Sequence, residues 1–368
     1  MRRRDLITLL GTAAAAWPIV ARSQQRSVPV IGYLNPGSPE AFANSVTAFR
    51  KGLSETGYVE GRNVAIEFRW ARDQADRLPE LTADLVRRQV TVIVATGGVG
   101  VALAAKAATT TIPIVFSAGG DPAATGLVTS FNRPSGNVTG VSGMSAKLVG
   151  KQLGLWHEAA PGATRVAALV NPISVSAGSI VADAKAAASA AGLQIDILSA
   201  STSREIDSAF AGMAQNQDAG LLVASDTLFI NRRVQLVTLA VKHTVPAIFG
   251  FREDAEAGGL MSYGPSLADV HRQVGLYTGR ILKGEKPGDL PVMQPTKFEF
   301  VINLQTARTL GFDMPVTLLA RATSRRSGVA ARGVGAGGWP YATYRRSDRE
   351  ARQRSRRAES GRSIAAWT

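Results

Sequence analysis

The chain contains no cysteine. This absence excludes disulfide bonds, thiol catalysis, cysteine-ligated zinc and iron–sulfur clusters, and also a lipid-modified N-terminal cysteine. Only three histidines are present, His157, His243 and His271; all fall in predicted helices and none has metal-ligand spacing. The sequence also lacks a Gly-x-Ser-x-Gly elbow and a Walker motif. We therefore expect neither catalysis nor a cofactor.

The net charge of +14 is concentrated at the two ends of the chain. Residues 1–23 carry four arginines and one aspartate, and residues 322–368 carry eleven arginines against three acidic residues. Only +3 remains for residues 24–321, so an argument for nucleic-acid binding would rest on the ends alone. We expect no nucleic-acid partner.

The first 23 residues have the organisation of an export signal. Three arginines, Arg2 to Arg4, precede a short apolar run from Leu6 to Val20, and Ala21-Arg22-Ser23 provides small residues for cleavage. The pattern fits either the general secretory route or the twin-arginine route for folded proteins. No later segment has 18 uninterrupted apolar residues, so we expect a soluble periplasmic protein beginning near Gln24.

The body of the chain alternates short apolar strands with amphipathic helices in two successive runs. The first run begins with a strand at Val28–Leu34 and a helix at Glu40–Thr56, which Gly57 ends. The second begins with a helix at about Lys147–Ala159 and a strand at Arg165–Val170. Such alternation predicts parallel sheets covered by helices, and two runs predict two lobes.

Small polar residues and glycines follow the predicted strands. Ligands of open parallel sheets bind outside the carboxyl ends of the strands. Free N–H groups at helix N-termini, after Thr96-Gly97-Gly98 and after Asn171, could hold an anion, and Asp226 could hold a cation. This combination suits an amino acid zwitterion, although each Asp, Ser or Thr could equally be a helix cap.

Several sequence runs together resemble one family. They are Arg3–Gly11, Pro29–Leu34, Phe49–Tyr58, Gly119–Pro122, Arg133–Val141, Gly258–Gly264, Gly279–Pro287 and Pro295–Glu299. The chain resembles the ABC transporter substrate-binding proteins of the tryptophan-binding-like (TrpX-like) group over about residues 1–321.

The resemblance implies a type I periplasmic-binding fold, with two doubly wound parallel-sheet lobes, a three-strand hinge and a cleft that closes on a small solute. The resemblance is compatible with aromatic amino acids and with other small solutes as ligands. The implied partner is an ABC permease in the inner membrane, and the implied state is a monomer. The cleft would be lined by eight residues: Ser38, Thr96, Gly97, Ser117, Asp121, Asn171, Asp226 and Tyr263.

The expected organisation has four parts. Residues 1–23 form the signal, residues 24–141 with about 265–292 form the first lobe, and residues 142–264 with about 293–321 form the second. Residues 322–368 are rich in Arg, Ser and Gly without hydrophobic periodicity, which predicts a disordered extension. This segment has two interpretations. It is either a reading-frame extension of the gene or a basic arm that binds membrane or nucleic acid.

Two functions share this fold and export signal. One is the periplasmic solute-binding component of an ABC importer, and the other is a ligand-sensing protein that presents its liganded state to a membrane receptor. A repressor core would carry an N-terminal helix-turn-helix of about 60 residues, where this chain has an export signal. We expect the importer component.

Overall fold

Two parallel β-sheets organise the protein in the computed structural model, which describes residues 28–143, 145–216 and 219–322. The predicted export signal and nearly all of the predicted basic extension lie outside the described residues. Within the described part, the prediction of two doubly wound α/β lobes is confirmed.

The first sheet has five strands, all parallel, in the order β2-β1-β3-β4-β5. Three helices in the connections between its first four strands cover it. These elements are β1 (Val30–Asn35), α1 (Ala43–Glu55), β2 (Ala65–Trp70), α2 (Leu78–Arg87), β3 (Val92–Thr96), α3 (Val99–Ala108), β4 (Ile114–Ala118) and β5 (Val138–Ser142).

The second sheet has six strands in the order β11-β10-β9-β8-β6-β7, parallel except for the edge pair β10–β11. Its elements are α4 (Ser145–Ala159), β6 (Arg165–Val170), α5 (Ala177–Ala190), β7 (Gln194–Ser199), α6 (Ser203–Asn216), β8 (Leu221–Val223), α7 (Thr227–Asn231), α8 (Arg233–Lys242), β9 (Ala247–Phe249), α9 (Arg252–Glu256), β10 (Met261–Pro265), β11 (Phe298–Ile302), α11 (Leu304–Thr309) and α12 (Val316–Arg321).

Helix α10 (Leu267–Leu282) lies between β10 and β11 of the second sheet in sequence but packs on α1 of the first sheet. Glycine makes this approach possible, because a Cβ on Gly52 would overlap the backbone carbonyl of Arg272, and one on Gly275 would overlap that of Phe49. We call the first sheet with α1–α3 and α10 lobe 1, and the second sheet with the remaining helices lobe 2.

The chain passes between the lobes three times, after β5, between β10 and α10, and before β11. The first and third passages lie together, because Ser142 N–H donates to Met293 O and Met293 N–H donates to Gly140 O, both at 2.9 Å. The residue boundaries expected for the lobes remain predictions.

The inner strands of each sheet are apolar and are buried on both faces. In β1, Ile31 and Tyr33 pack in the cluster beneath α1 and α10, whereas Leu34 packs on the opposite face with α2 and α3. Trp156 is fully buried in the core of lobe 2, where its indole N–H donates to Pro246 O. Burying each such large side chain contributes about 1.5–3 kcal/mol.

The short helices α7, α9, α11 and α12 were not predicted from the sequence. Each has only five or six residues, which is too short for an apolar periodicity to be recognised. The N-cap of helix α7 is Asp226, one of the predicted site residues.

Candidate functional site: a cleft between the lobes

A cavity of about 220 Å³ lies between the carboxyl ends of the two sheets. The loops that follow β1, β3, β4, β6 and β8 all contribute to its lining, and α10 contributes three residues. This position agrees with the general rule for ligand sites in open parallel sheets.

The turn from β3 into α3 forms one polar part of the cavity wall. Gly97 and Gly98 have φ angles of 98° and 134°, and a Cβ on Gly97 would lie 2.7 Å from the ring of Pro36. No side chain of the described residues caps α3 at Gly98. The first-turn residues Val99 and Gly100 line the cavity, so their end of the helix favours a negatively charged group there.

A buried asparagine holds this turn against the end of β1. The Asn35 Nδ2 donates to Thr96 Oγ1 at 3.0 Å, and its Oδ1 accepts from Gly37 N–H at 2.7 Å. Both Asn35 and Thr96 are fully buried. The Thr96 hydroxyl is therefore engaged within lobe 1.

The opposing polar group belongs to lobe 2. Asp226 Oδ1 accepts from Asn171 Nδ2 and from Leu228 N–H, each at 2.9 Å, so it both caps α7 and is oriented by Asn171. No hydrogen bond from the described residues reaches Oδ2. Because Asp226 lines the cavity, this oxygen is available to a cationic group.

The charge of the lining is acidic. Asp73 and Asp226 line the cavity, and no lysine or arginine among the described residues does. A ligand carboxylate would therefore be held by backbone N–H groups and hydroxyls such as Ser117, not by a basic side chain.

His271 adds a third polar group, on α10. It is 2% exposed, and its Nδ1 lies 2.9 Å from Leu267 O. Burial lowers the pKa of His271 to about 4, so the ring is neutral at neutral pH. Its Nε2 is buried and has no hydrogen-bond partner among the described residues.

Most of the remaining lining is apolar. These side chains come from both lobes and surround a volume suited to a hydrophobic group: Phe42, Leu78, Val99, Val101, Ile173, Val175, Ile180, Leu228, Ile230, Phe251, Leu267 and Val270.

Direct contacts between the lobes close the cleft. Thr227 Oγ1 of lobe 2 donates to Gly97 O of lobe 1, and Ser38 N–H of lobe 1 donates to Asn231 Oδ1 at 3.2 Å. Phe42 of lobe 1 packs with Ile230 and Phe251 of lobe 2. The structure therefore has the closed arrangement of the two lobes.

Comparison with known proteins identifies the family. Residues 30–326 match the family described as ABC transporter substrate binding protein. The chain belongs to this family. Within residues 28–143, 145–216 and 219–322, this substrate-binding protein has no helix long and apolar enough to cross a membrane.

Three known proteins are similar to this chain over most of its length. A tyrosine-binding protein of Clostridioides difficile (strain R20291) is 27% identical over 71% of this chain and 75% of its own length. A conserved domain protein of Vibrio cholerae is 26% identical, with a TM-score of 0.76 over 81% of this chain and 99% of that one. An ABC domain in complex with L-Trp, from Streptococcus pneumonia, is 26% identical, with a TM-score of 0.72 over 79% of this chain and 98% of that one.

Four of the eight sequence-predicted site residues line the cavity of this substrate-binding protein. They are Gly97, Ser117, Asn171 and Asp226. They come from both lobes, and the closed cleft brings them together. Their contact with a ligand remains a prediction.

The other four are not among the described residues that line the cavity. Thr96 bonds Asn35, and Ser38 contacts Asn231 across the cleft. Asp121 Oδ1 accepts from the N–H groups of Ala123 and Ala124 and so stabilises its own turn. Tyr263 stacks on Phe298 in the β10–β11 pair.

Sequence reasoning missed Asp73 and His271 in the cavity lining. Asp73 follows β2 with a φ of 64°, in a turn where its N–H donates to Pro36 O at 2.8 Å. The sequence feature that could have identified Asp73 as a cavity residue is its position shortly after a strand. His271 gave no such signal, because it lies within helix α10 and not in a loop after a strand, and the packing of α10 on lobe 1 brings it to the cleft.

Proposed function

We propose that this protein is the solute-binding component of an ABC importer and that its lobes close on an amino acid with an aromatic side chain. The observation that carries the proposal is the free Asp226 Oδ2 on the same cavity as the uncapped start of α3. A carboxylate and a helix N-terminus are complementary to an ammonium and a carboxylate group.

In this proposal Asp226 accepts the ligand ammonium, and Asn171 holds Asp226 in place. Backbone N–H groups at the start of α3, reached past Gly97, and the Ser117 hydroxyl bind the ligand carboxylate. Ser38, Thr96, Asp121 and Tyr263 support the surrounding loops. Binding then draws lobe 1 and lobe 2 together, as in hinge closure around a ligand.

The size and polarity of the remaining cavity favour an aromatic side chain. An apolar cavity of about 150 Å³ is sufficient to bind benzene. The cavity of about 220 Å³ thus has room for one ring and a small polar group, and apolar side chains form most of its wall. Two relatives, the tyrosine-binding protein and the ABC domain complexed with L-Trp, support the same class.

The proposal includes export and a membrane partner. Residues 1–23 would direct the chain to the periplasm, where it acts as a monomer and delivers its ligand to an ABC permease. Membership of the ABC transporter substrate-binding family supports this role.

A binding screen tests the proposed function. The purified protein is titrated calorimetrically with the twenty amino acids, and its thermal unfolding is followed with each. Aromatic amino acids should bind and stabilise the fold, by about 2.7 kcal/mol at a hundredfold excess over Kd. Binding of none of them would contradict the proposed ligand class, and unchanged uptake of the bound amino acid in cells lacking the gene would contradict the importer role.

A further inference from the structure

The buried imidazole of His271 has one nitrogen that nothing in the described chain satisfies. Nδ1 lies 2.9 Å from Leu267 O, and a carbonyl oxygen can only accept, so the proton is on Nδ1. In the neutral ring Nε2 then carries a lone pair and is an acceptor. Buried acceptors are rarely left without a donor, because their desolvation is costly.

The ring that carries this acceptor belongs to an otherwise apolar stretch of the cavity wall. Helix α10 lines the cavity with Leu267, Val270 and His271, so the imidazole is its one polar side chain there among the described residues. The ring is held by the bond to Leu267 O and by its burial, so its lone pair has a fixed direction. A fixed acceptor within an apolar wall selects a ligand that is apolar with one hydrogen-bond donor.

We infer that His271 Nε2 accepts a hydrogen bond from a donor on the aromatic ring of the ligand, a phenol O–H or an indole N–H. His271 would then distinguish tyrosine or tryptophan from rings without a donor. This inference rests on the proposed function, and it adds that the site recognises the hydrogen-bond donor on the ligand's side chain. A site built around such a bond rejects the analogue that lacks it, since its own polar group stays unpaired.

The test compares ligands that differ only in the ring donor. L-tyrosine is paired with L-phenylalanine, and L-tryptophan with 1-methyl-L-tryptophan, in calorimetric titrations of the full protein. The native protein should bind the donor-bearing member of at least one pair about tenfold more tightly or better. In His271→Leu the ratio should fall to about one, mainly through weaker binding of the donor-bearing ligand.

Two further variants separate recognition from folding. His271→Gln retains a side-chain acceptor and should recover part of the discrimination, whereas a purely structural histidine would give no such difference between glutamine and leucine. His157→Leu is the matched control, because its Nδ1 is also buried without a partner in the described chain but it does not line the cavity. This control should keep the native ratio.

The outcomes distinguish this inference from the proposed function. If the native protein binds both members of each pair equally, or if His271→Leu keeps the native ratio, the role of His271 is wrong while the aromatic ligand class stands. If the native protein binds none of the four ligands, the proposed ligand class itself fails. Should His271→Leu not fold, the comparison of the native protein with His271→Gln decides the same question.

Discussion

Arg232 of lobe 2 donates a hydrogen bond to Asp73 of lobe 1, with 3.2 Å between Nη2 and the carboxylate oxygen. Asn231 Nδ2 donates to the other oxygen of the same carboxylate. Asp73 also lines the cavity, so one side chain joins the ligand site to the contact between the lobes. These bonds exist only when the cleft is closed, and they therefore stabilise the closed form selectively.

Replacement of Asp73 should loosen closure without unfolding either lobe. Arg232 is 42% exposed, so the pair is screened by solvent and Asp73→Asn should weaken ligand binding only severalfold. Calorimetry would measure the affinity, and small-angle scattering would show a larger mean radius at subsaturating ligand. Glu60→Gln, which removes an exposed pair with Arg50 inside lobe 1, should change neither. Equal affinities for Asp73→Asn and the native protein would contradict a role in closure.

Asp226→Asn should remove ligand binding while keeping the cap of α7. The asparagine oxygen can still accept from Leu228 N–H, but the charge that we propose for binding the ligand ammonium is lost. We expect the affinity for an amino acid to fall at least tenfold, with little change in the melting temperature of the unliganded protein. Calorimetry and thermal unfolding measure the two effects. Asp121→Asn is the matched control, because Asp121 also bonds its own turn but is not part of the cavity lining.

Acid should destabilise the protein through His271. Burial lowers the pKa of this side chain to about 4, below its unfolded value near 6.5, so the unfolded chain binds more protons between these pH values. The free energy of unfolding should therefore fall by about 3 kcal/mol from this group as the pH drops from 7 to 4. Denaturant unfolding as a function of pH measures the change.

The comparison with His271→Leu isolates this contribution. Burial raises the pKa of Glu253 and of Asp254, which acts in the opposite direction and is present in both proteins. The native protein should lose more stability on acidification than the variant. Parallel pH profiles for the two proteins would show that His271 is not buried in a neutral form.

A substitution at the crossing of α1 and α10 should destabilise lobe 1. The added methyl group of Gly52→Ala would overlap the backbone carbonyl of Arg272, and backbone cannot move aside as a flexible side chain can. We expect a loss of about 1–3 kcal/mol in the free energy of unfolding. Gly154→Ala on α4 is the control, because its Cβ would meet no atom within 4 Å; it should stabilise the protein by about 0.5–1 kcal/mol. Chemical denaturation would distinguish the two results.

The sequence predicted the elements well where periodicity was sustained. Strand β6 (Arg165–Val170) has the predicted bounds, helix α4 ends at the predicted Ala159, and Gly57 follows α1 with a φ of 95° as expected of a glycine that ends a helix. Apolar runs and helix-ending glycines are local signals, and they act through the backbone of the same segment. The strand-end rule also located Gly97, Ser117, Asn171 and Asp226 on the cavity.

The sequence by itself thus determined two parallel α/β lobes and the loops that could meet between them, since both follow from local patterning and the geometry of parallel sheets. Which loop residues face the cavity was decided by tertiary packing: Thr96 is held inward by Asn35, while Ser117 remains in the lining. Tertiary packing also decided the position of Asp73, which meets Arg232 only across the closed cleft. It decided the position of His271 as well, which reaches the cavity because α10 crosses α1 at Gly52 and Gly275. These contacts join residues far apart in the chain, and a local pattern carries no information about such pairs.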